Sequence, residues 1–237
     1  MKKQKIKVYV NFDNYCHTFL VGLTGGIGAG KSTVAQILKG KGAYIIDTDE
    51  VSRRVMVEGM GCYQKLIEAF PSCVVDGVLQ RSLLKNLVFS DENSRKLLNF
   101  ITHPYILAAV AEEVKGRDWV VVQVPLLFES GFYGVCDVTL GILANEKIRI
   151  ERVLRRDGMT EQLAAAIIKT QYTDEFLREK CDFCIENNGD GEQLRDNVNE
   201  FYRKIEKRIA LGSVPPYKEI RDGLCGKGRT KRGDGDS

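Results

Sequence analysis

The chain has 237 residues, of which 43% are hydrophobic and 28% charged, so it can bury one large α/β core but is short for two full domains. Its net charge is only +3, and much of the basic excess lies in Lys227, Arg229, Lys231 and Arg232 near the C-terminus. So small an excess is weak evidence for a nucleic-acid partner, and we expect none.

Residues 1–17 precede the first regular pattern and are predicted to form an irregular extension. Their basic start is like that of a signal peptide, but Asn11, Asp13, Asn14 and His17 interrupt any apolar core. No stretch approaches the roughly 18 apolar residues of a membrane span. The seven cysteines are odd in number and scattered, which favours a reducing compartment. We therefore expect a cytoplasmic protein that makes no membrane contact.

Five short apolar runs, separated by helical patterns, are predicted to be buried strands. They cover residues 19–24, 43–47, 119–124, 138–143 and 183–187. Near-continuous apolar strands that alternate with helices are typical of a parallel sheet covered on both faces. The fold predicted from this pattern is a three-layer α/β/α sandwich around a five-stranded parallel sheet.

A glycine-rich loop, TGGIGAGKST, follows the first strand and opens a helix. Gly25, Gly30, Lys31 and Ser32 satisfy G-x-x-x-x-G-K-[ST], the P-loop pattern. Its backbone N–H groups, unobstructed by Cβ atoms, point at a phosphate near the positive end of the helix. In this motif Lys31 reaches the β and γ phosphates, and the Ser32 hydroxyl supplies an oxygen to Mg²⁺. The N-K-x-D and D-x-x-G patterns of a GTPase are absent from the sequence.

Two carboxylates stand at the carboxyl end of the second predicted strand, the edge where open α/β sheets bind ligands. Period-two alternation predicts that Asp47 and Asp49 point to the same side. One of them, Asp49, could orient an acceptor hydroxyl and take its proton. Asp49 could also be the N-cap of the next helix, and the two roles are compatible.

Residues 48–118 are too long for a simple crossover between strands and have mainly helical character. They predict an inserted helical subdomain, about 59–116, in which Pro104 starts the last helix. A second, shorter insertion covers about 145–180. A final helix over about 192–211 precedes a tail, 213–237, whose composition suggests disorder.

Arg149, Arg152 and Arg156 in the second insertion fall at i, i+3 and i+7, so they share one helix face. Such a row suits a lid that closes over transferring phosphates. The alternative is a solvated face paired with nearby acidic residues. The presence of a P-loop favours the lid.

A single C-x-x-C, formed by Cys181 and Cys184, lies beside the fifth predicted strand. A tetrahedral zinc site would need two more ligands, and the only histidines are His17 and His103. Two small residues around a buried strand are the preferred interpretation.

Seven segments occur together in the order seen in dephospho-coenzyme A kinases: LTGGIGAGKSTVA, IDTDEVSRRV, GVLQRSLL, THPYI, VPLLFE, RVLRRD and IENNGD. The chain resembles this family from about residue 19 to residue 207. The resemblance implies a P-loop kinase fold with a core (18–58 and 117–212), a helical substrate domain and a lid. It also implies that ATP phosphorylates the 3′-hydroxyl of dephospho-coenzyme A, the last step of coenzyme A synthesis, with Mg²⁺ as cofactor.

The resemblance also assigns roles to individual residues. Asp49 matches the acidic residue that activates the 3′-hydroxyl, and Arg81 and His103 match residues on the acceptor side. Lys31, Arg152 and Arg156 would serve catalysis at the phosphates. The ATP-binding residues would be Gly25, Gly28, Ala29, Gly30, Lys31, Ser32, Thr33 and, near the adenine, Asn187.

Gln123 departs from the family pattern, because many members have an acidic residue at this position. A glutamine carries no charge, so Mg²⁺ would depend more on Ser32, the phosphates and either Asp47 or Asp49. Two alternatives remain open: a P-loop kinase for another small acceptor, and a regulator that uses ATP only as a switch.

Overall fold

The computed structural model of the protein describes residues 18–211, so the predicted extension (1–17) and tail (213–237) lie outside the described residues. The strands and helices, in chain order, are β1 (Phe19–Gly25), α1 (Lys31–Lys39), β2 (Tyr44–Asp47), α2 (Thr48–Val55), α3 (Gly61–Ala69), β3 (Val74–Val75), β4 (Val78–Leu79), α4 (Arg81–Ser90), α5 (Glu92–Val114), β5 (Trp119–Gln123), β6 (Val138–Leu143), α6 (Glu146–Asp157), α7 (Glu161–Lys169), α8 (Asp174–Lys180), β7 (Phe183–Glu186) and α9 (Gly191–Leu211).

Five parallel strands form the central sheet in the order β2-β5-β1-β6-β7. Every residue of β1, β5 and β6 is buried, as expected for strands covered on both faces. One hydrophobic cluster packs α1 and α9 against the sheet, and a second packs the helices that follow β2 against it. The predicted three-layer fold with a five-stranded parallel sheet is confirmed.

The strand order brings three chain segments to one edge of the sheet. Leu23 of β1 pairs with Gln123 of β5, which in turn pairs with Asp47 of β2. The glycine-rich loop begins at the end of β1, in the middle of the sheet. This register therefore sets the loop, Gln123 and Asp47 side by side.

Helices α2 to α5 fill most of the long connection between β2 and β5, and the connection differs from the sequence-based prediction at two places. Pro104 lies inside α5, a single 23-residue helix, and does not start a new one. A proline inside a helix removes one backbone hydrogen bond. Tertiary packing offsets that loss, because Val110 and Val114 are buried in the second cluster and Ile101 and Tyr105 pack against it.

A two-stranded hairpin, β3–β4, was not predicted. Its turn residues Asp76 and Gly77 both have positive φ, at 50° and 79°. An Asp-Gly pair flanked by apolar residues is a strong hairpin signal, so VVDGVL could have indicated it.

The second insertion folds as α6, α7 and α8 between β6 and β7. Cys181 follows α8 and Cys184 lies in β7; both are free thiols, and both approach Gly141 of β6. Within residues 18–211, no helix combines the length and the apolar character that crossing a membrane requires.

Candidate active site

The loop between β1 and α1 is shaped by close contacts as well as by its glycines. Gly30 has a φ of 101°, in the left-handed region, and a Cβ there would collide with the side-chain nitrogen of Asn187. Only glycine satisfies both constraints without strain. The Lys31 ammonium donates to the backbone carbonyls of Gly25 (2.8 Å) and Gly26 (3.1 Å), so it lies across the loop.

The Lys31 ammonium lies among several other charged groups of the site. Burial lowers its pKa to about 8, and the positive charges of Arg149 and Arg156 act in the same direction. The carboxylates of Asp49 and Asp47 oppose this shift. Lys31 therefore lies close enough to both aspartates, to Arg149 and to Arg156 to feel their charges.

The structure corrects the expected geometry of the two aspartates. Strand β2 ends at Asp47 and α2 begins at Thr48, so strand alternation does not apply to Asp49. The helix N-cap is Asp47, whose carboxylate accepts a hydrogen bond of 2.9 Å from the Asp49 N–H. The sequence left open a capping role for Asp49, and this role is wrong, because Asp49 lies in the first turn of α2.

Asp49 has an unusual electrostatic environment for an aspartate. Burial raises its pKa, and the nearby charge of Asp47 raises it further, whereas Lys31 and Arg53 act against the shift. A carboxylate with a raised pKa is a better proton acceptor than an ordinary one once it is ionised.

Asp49 lines a cavity of about 180 Å³ between α2, α5 and the chain after β5. Most of its lining is apolar, including Leu107 and Phe132, and a few polar groups such as His103 also face it. Burial lowers the pKa of His103, so its ring is neutral near pH 7. An apolar cleft with a few polar groups is typical of a small-molecule site.

Arg81, a predicted acceptor-side residue, does not line this cavity. One of its terminal nitrogens donates to the carbonyl oxygens of Arg53 (3.3 Å) and Met56 (3.1 Å). These carbonyls lie at the C-terminal end of α2, the opposite end from Asp49. A role of Arg81 toward the acceptor stays a prediction.

Three of the arginines of α6, Arg149, Arg152 and Arg156, have different environments although they share a helix face. Arg149 is only 5% exposed, and its Nε donates to the Ile27 carbonyl at 2.9 Å. Arg152 donates to the side-chain oxygen of Asn187 at 3.3 Å. Arg156 is exposed and pairs with Asp157, as the alternative of a solvated face suggested for this residue. The row thus runs from a buried arginine to an exposed one.

Asn187 contacts the C-terminal part of the phosphate-binding loop. Its buried side chain donates to the Ala29 carbonyl at 2.8 Å and accepts from Arg152. These contacts place Asn187 beside the loop, and its proximity to adenine stays a prediction.

The oxygen donors near Lys31 suit Mg²⁺. Ser32 is exposed in the first turn of α1, Asp47 ends β2 and Asp49 lies in the first turn of α2. Among residues 18–211, no cluster of three or more His, Cys, Asp or Glu side chains could hold a metal by itself. One or two carboxylates completed by substrate phosphates are a usual Mg²⁺ environment. Gln123 is buried, and its backbone carbonyl accepts a hydrogen bond from the Thr48 hydroxyl at 2.9 Å.

Gln171 was not identified from the sequence. Its side-chain oxygen accepts from the Ile27 N–H and from Arg149, each at 2.9 Å. A glutamine between two helices has no spacing signal, and its loop partner lies 144 residues away in the chain. Only the packing of α6 to α8 against the loop reveals the contact.

Comparison with known proteins gives consistent matches. The family described as dephospho-CoA kinase (CoaE) matches residues 19–193. A dephospho-CoA kinase of Moorella thermoacetica is 36% identical over 205 residues, covering 83% of this chain and 97% of the relative. One of Oryza sativa subsp. japonica is 33% identical over 215 residues, covering 86% and 91%. The crystal structure of TT1252 from Thermus thermophilus has a TM-score of 0.72 at 32% identity, covering 80% and 98%.

Proposed function

The chain belongs to the dephospho-CoA kinase family, and on this premise we propose that it uses ATP to phosphorylate the 3′-hydroxyl of dephospho-coenzyme A, giving coenzyme A and ADP. Membership confirms the resemblance found in the sequence motifs. It disfavours both alternatives, another P-loop kinase and an ATP-dependent switch without an acceptor.

The position of Asp49, between Lys31 of the loop and the apolar cavity, carries the proposal for the site. The ammonium of Lys31 and the carboxylate of Asp49 interact electrostatically, and Asp49 also lines the apolar cavity. A phosphate donor on the loop and an acceptor in the cavity would therefore meet between these two side chains. Phosphoryl transfer needs such positioning and little covalent help from the protein.

In the proposed step, the 3′-oxygen forms a bond to the γ-phosphorus while the bond from that phosphorus to the bridging oxygen of ADP breaks. The proton of the hydroxyl passes to Asp49. Lys31, Arg152 and Arg156 supply positive charge where the oxygens of the transferring group accumulate negative charge. His103, neutral in the cavity wall, would contact the acceptor.

The remaining assignments extend this proposal. Ser32 and either Asp47 or Asp49 would hold Mg²⁺ with the phosphates, and the ion would neutralise charge on the β and γ phosphates. The helices over about 59–116 would bind the acceptor, and the segment over about 145–180 would act as a lid on the core. The free thiols among the described residues support a cytosolic location.

The test is an assay of ADP release by the purified full chain with ATP and Mg²⁺, comparing dephospho-coenzyme A, adenosine, AMP and no acceptor. Mass spectrometry of the product identifies the phosphorylated compound. We expect a product heavier by one phosphate with dephospho-coenzyme A alone. Turnover only with another acceptor would refute the substrate, and ATP binding without transfer to any acceptor would refute the kinase function.

A further inference from the structure

Two side chains that the proposed reaction does not use, Arg149 and Gln171, hold the phosphate-binding loop from its outer side. The Ile27 carbonyl accepts from Arg149 Nε at 2.9 Å, and the Ile27 N–H donates to Gln171 Oε1 at 2.9 Å. Arg149 Nη2 donates to the same Gln171 oxygen, also at 2.9 Å. Both polar backbone groups of one loop residue are thus engaged by two side chains that also bind each other.

The loop packs so closely against Arg149 that two of its positions, Gly26 and Gly28, have no room for a side chain. A Cβ on Gly26 would overlap the Arg149 guanidinium. A Cβ on Gly28 would lie 2.5 Å from the Arg149 carbonyl oxygen and 3.0 Å from its Cα. The absence of side chains at these positions therefore serves the packing of α6 as well as an approach by phosphate.

The buried charge of Arg149 is compensated locally. Its Nη1 lies 3.9 Å from a carboxylate oxygen of Asp174, at the start of α8, and its other contacts are oxygen acceptors. A buried cation is tolerated only with such partners, so the arrangement is costly to break. Arg149 is consequently fixed, in contrast to the exposed Arg156 two turns further along the same helix.

We propose that Arg149 and Gln171 are positioning residues that set the conformation of the phosphate-binding loop before ATP arrives. A glycine-rich loop loses much backbone entropy when it is ordered. A loop that is already ordered avoids this cost on binding, which increases affinity. The inference rests on the proposed function in one respect, that ATP binds at this loop.

The experiment measures ATP·Mg²⁺ binding by calorimetry and steady-state kinetics for the full chain and three variants. Gln171→Leu leaves the Ile27 N–H without its acceptor, and we expect Kd and KM for ATP to rise about tenfold. We expect kcat to change less and KM for the acceptor to stay constant. Gln171→Glu keeps an acceptor oxygen and should restore most of the affinity. Gln162→Leu, the same change at an exposed position of α7, should bind ATP as the unmodified chain does.

Several outcomes would overturn the inference. They are an unchanged Kd in Gln171→Leu, an equal loss in Gln171→Glu, and an equal loss in Gln162→Leu. If Gln171→Leu does not fold, Arg149→Lys replaces it, because one ammonium cannot reproduce the two directed bonds of the guanidinium. Its Kd should then rise several-fold, and an unchanged value refutes the proposal. Failure of the unmodified chain to bind ATP would instead refute the proposed function.

Discussion

The carboxylate of Asp47 accepts a hydrogen bond of 2.9 Å from the backbone N–H of Asp49 and thereby caps the helix on which Asp49 stands. Asp47 therefore has a structural role, whereas Asp49 lines the cavity. Asp47 thus fixes the start of the helix that carries Asp49, and its negative charge raises the pKa of Asp49.

Replacing Asp49 by asparagine should remove the proton acceptor while keeping the size of the side chain. We expect kcat to fall by about 10²- to 10⁴-fold, the usual contribution of a general base. The protein should still bind ATP, with a loss of affinity much smaller than the loss of kcat, because the loop is intact. Kinetics and calorimetry on the same preparation check both points, with Asp196→Asn, an exposed position on α9, as the matched control. Near-full turnover in Asp49→Asn would refute the assignment.

The pKa of Asp49 should depend on Asp47. Burial and the charge of Asp47 raise it above the ordinary value of 3.8, so Asp49 should take up its proton at a higher pH than an exposed aspartate. Asp47→Asn removes the like charge but retains an oxygen that can cap α2. The pKa of Asp49 should then fall. NMR titration of the side-chain carboxyl carbons in the ATP-free protein measures the shift, with Asp49→Asn to assign the signal. An unchanged pKa would show that burial acts alone.

Binding of ATP should be linked to proton uptake by Lys31. Burial holds its pKa at about 8, so the side chain is largely neutral at about pH 9 in the ATP-free protein. The phosphates favour the charged form and should raise this pKa, so ATP binding should weaken as the pH rises above about 8.

Calorimetric titrations at about pH 9 in buffers of different ionisation enthalpy measure this uptake. The binding heat should vary with the buffer at that pH and vary little near pH 7, where Lys31 is already protonated. In Lys31→Arg the side chain is charged throughout, so the dependence at high pH should disappear. Equal uptake in this variant would assign the proton to another group.

Alanine at position 30 should damage the phosphate-binding loop. The residue would have to adopt a φ of 101° and its Cβ would overlap the Asn187 amide. We expect ATP affinity to fall by at least about tenfold and the free energy of unfolding to drop by about 1–3 kcal/mol. Gly134→Ala is the control, since that Cβ would meet nothing within 4 Å. Calorimetry and thermal unfolding compare the two variants, and equal behaviour would contradict the steric argument.

Features that depend on neighbouring residues in the chain could be predicted from the sequence. The five strands follow from runs of apolar residues, and the phosphate-binding loop follows from glycines at fixed spacing before a helix. Where local rules competed, the prediction was less accurate. Pro104 was expected to start a helix, but α5 continues through it because residues on both sides pack into the second hydrophobic cluster.

The contacts that shape the site were decided only by the tertiary structure. Ile27 meets Gln171 across 144 positions of the chain and Arg149 across 122. Which residue caps α2 depended on where β2 stops, and the cavity beside Asp49 depended on how α5 packs against α2. Spacing determines which residues share a helix face or a strand edge. The packing of distant segments determines which of them meet, because burial and hydrogen bonding are satisfied by partners that no local pattern identifies.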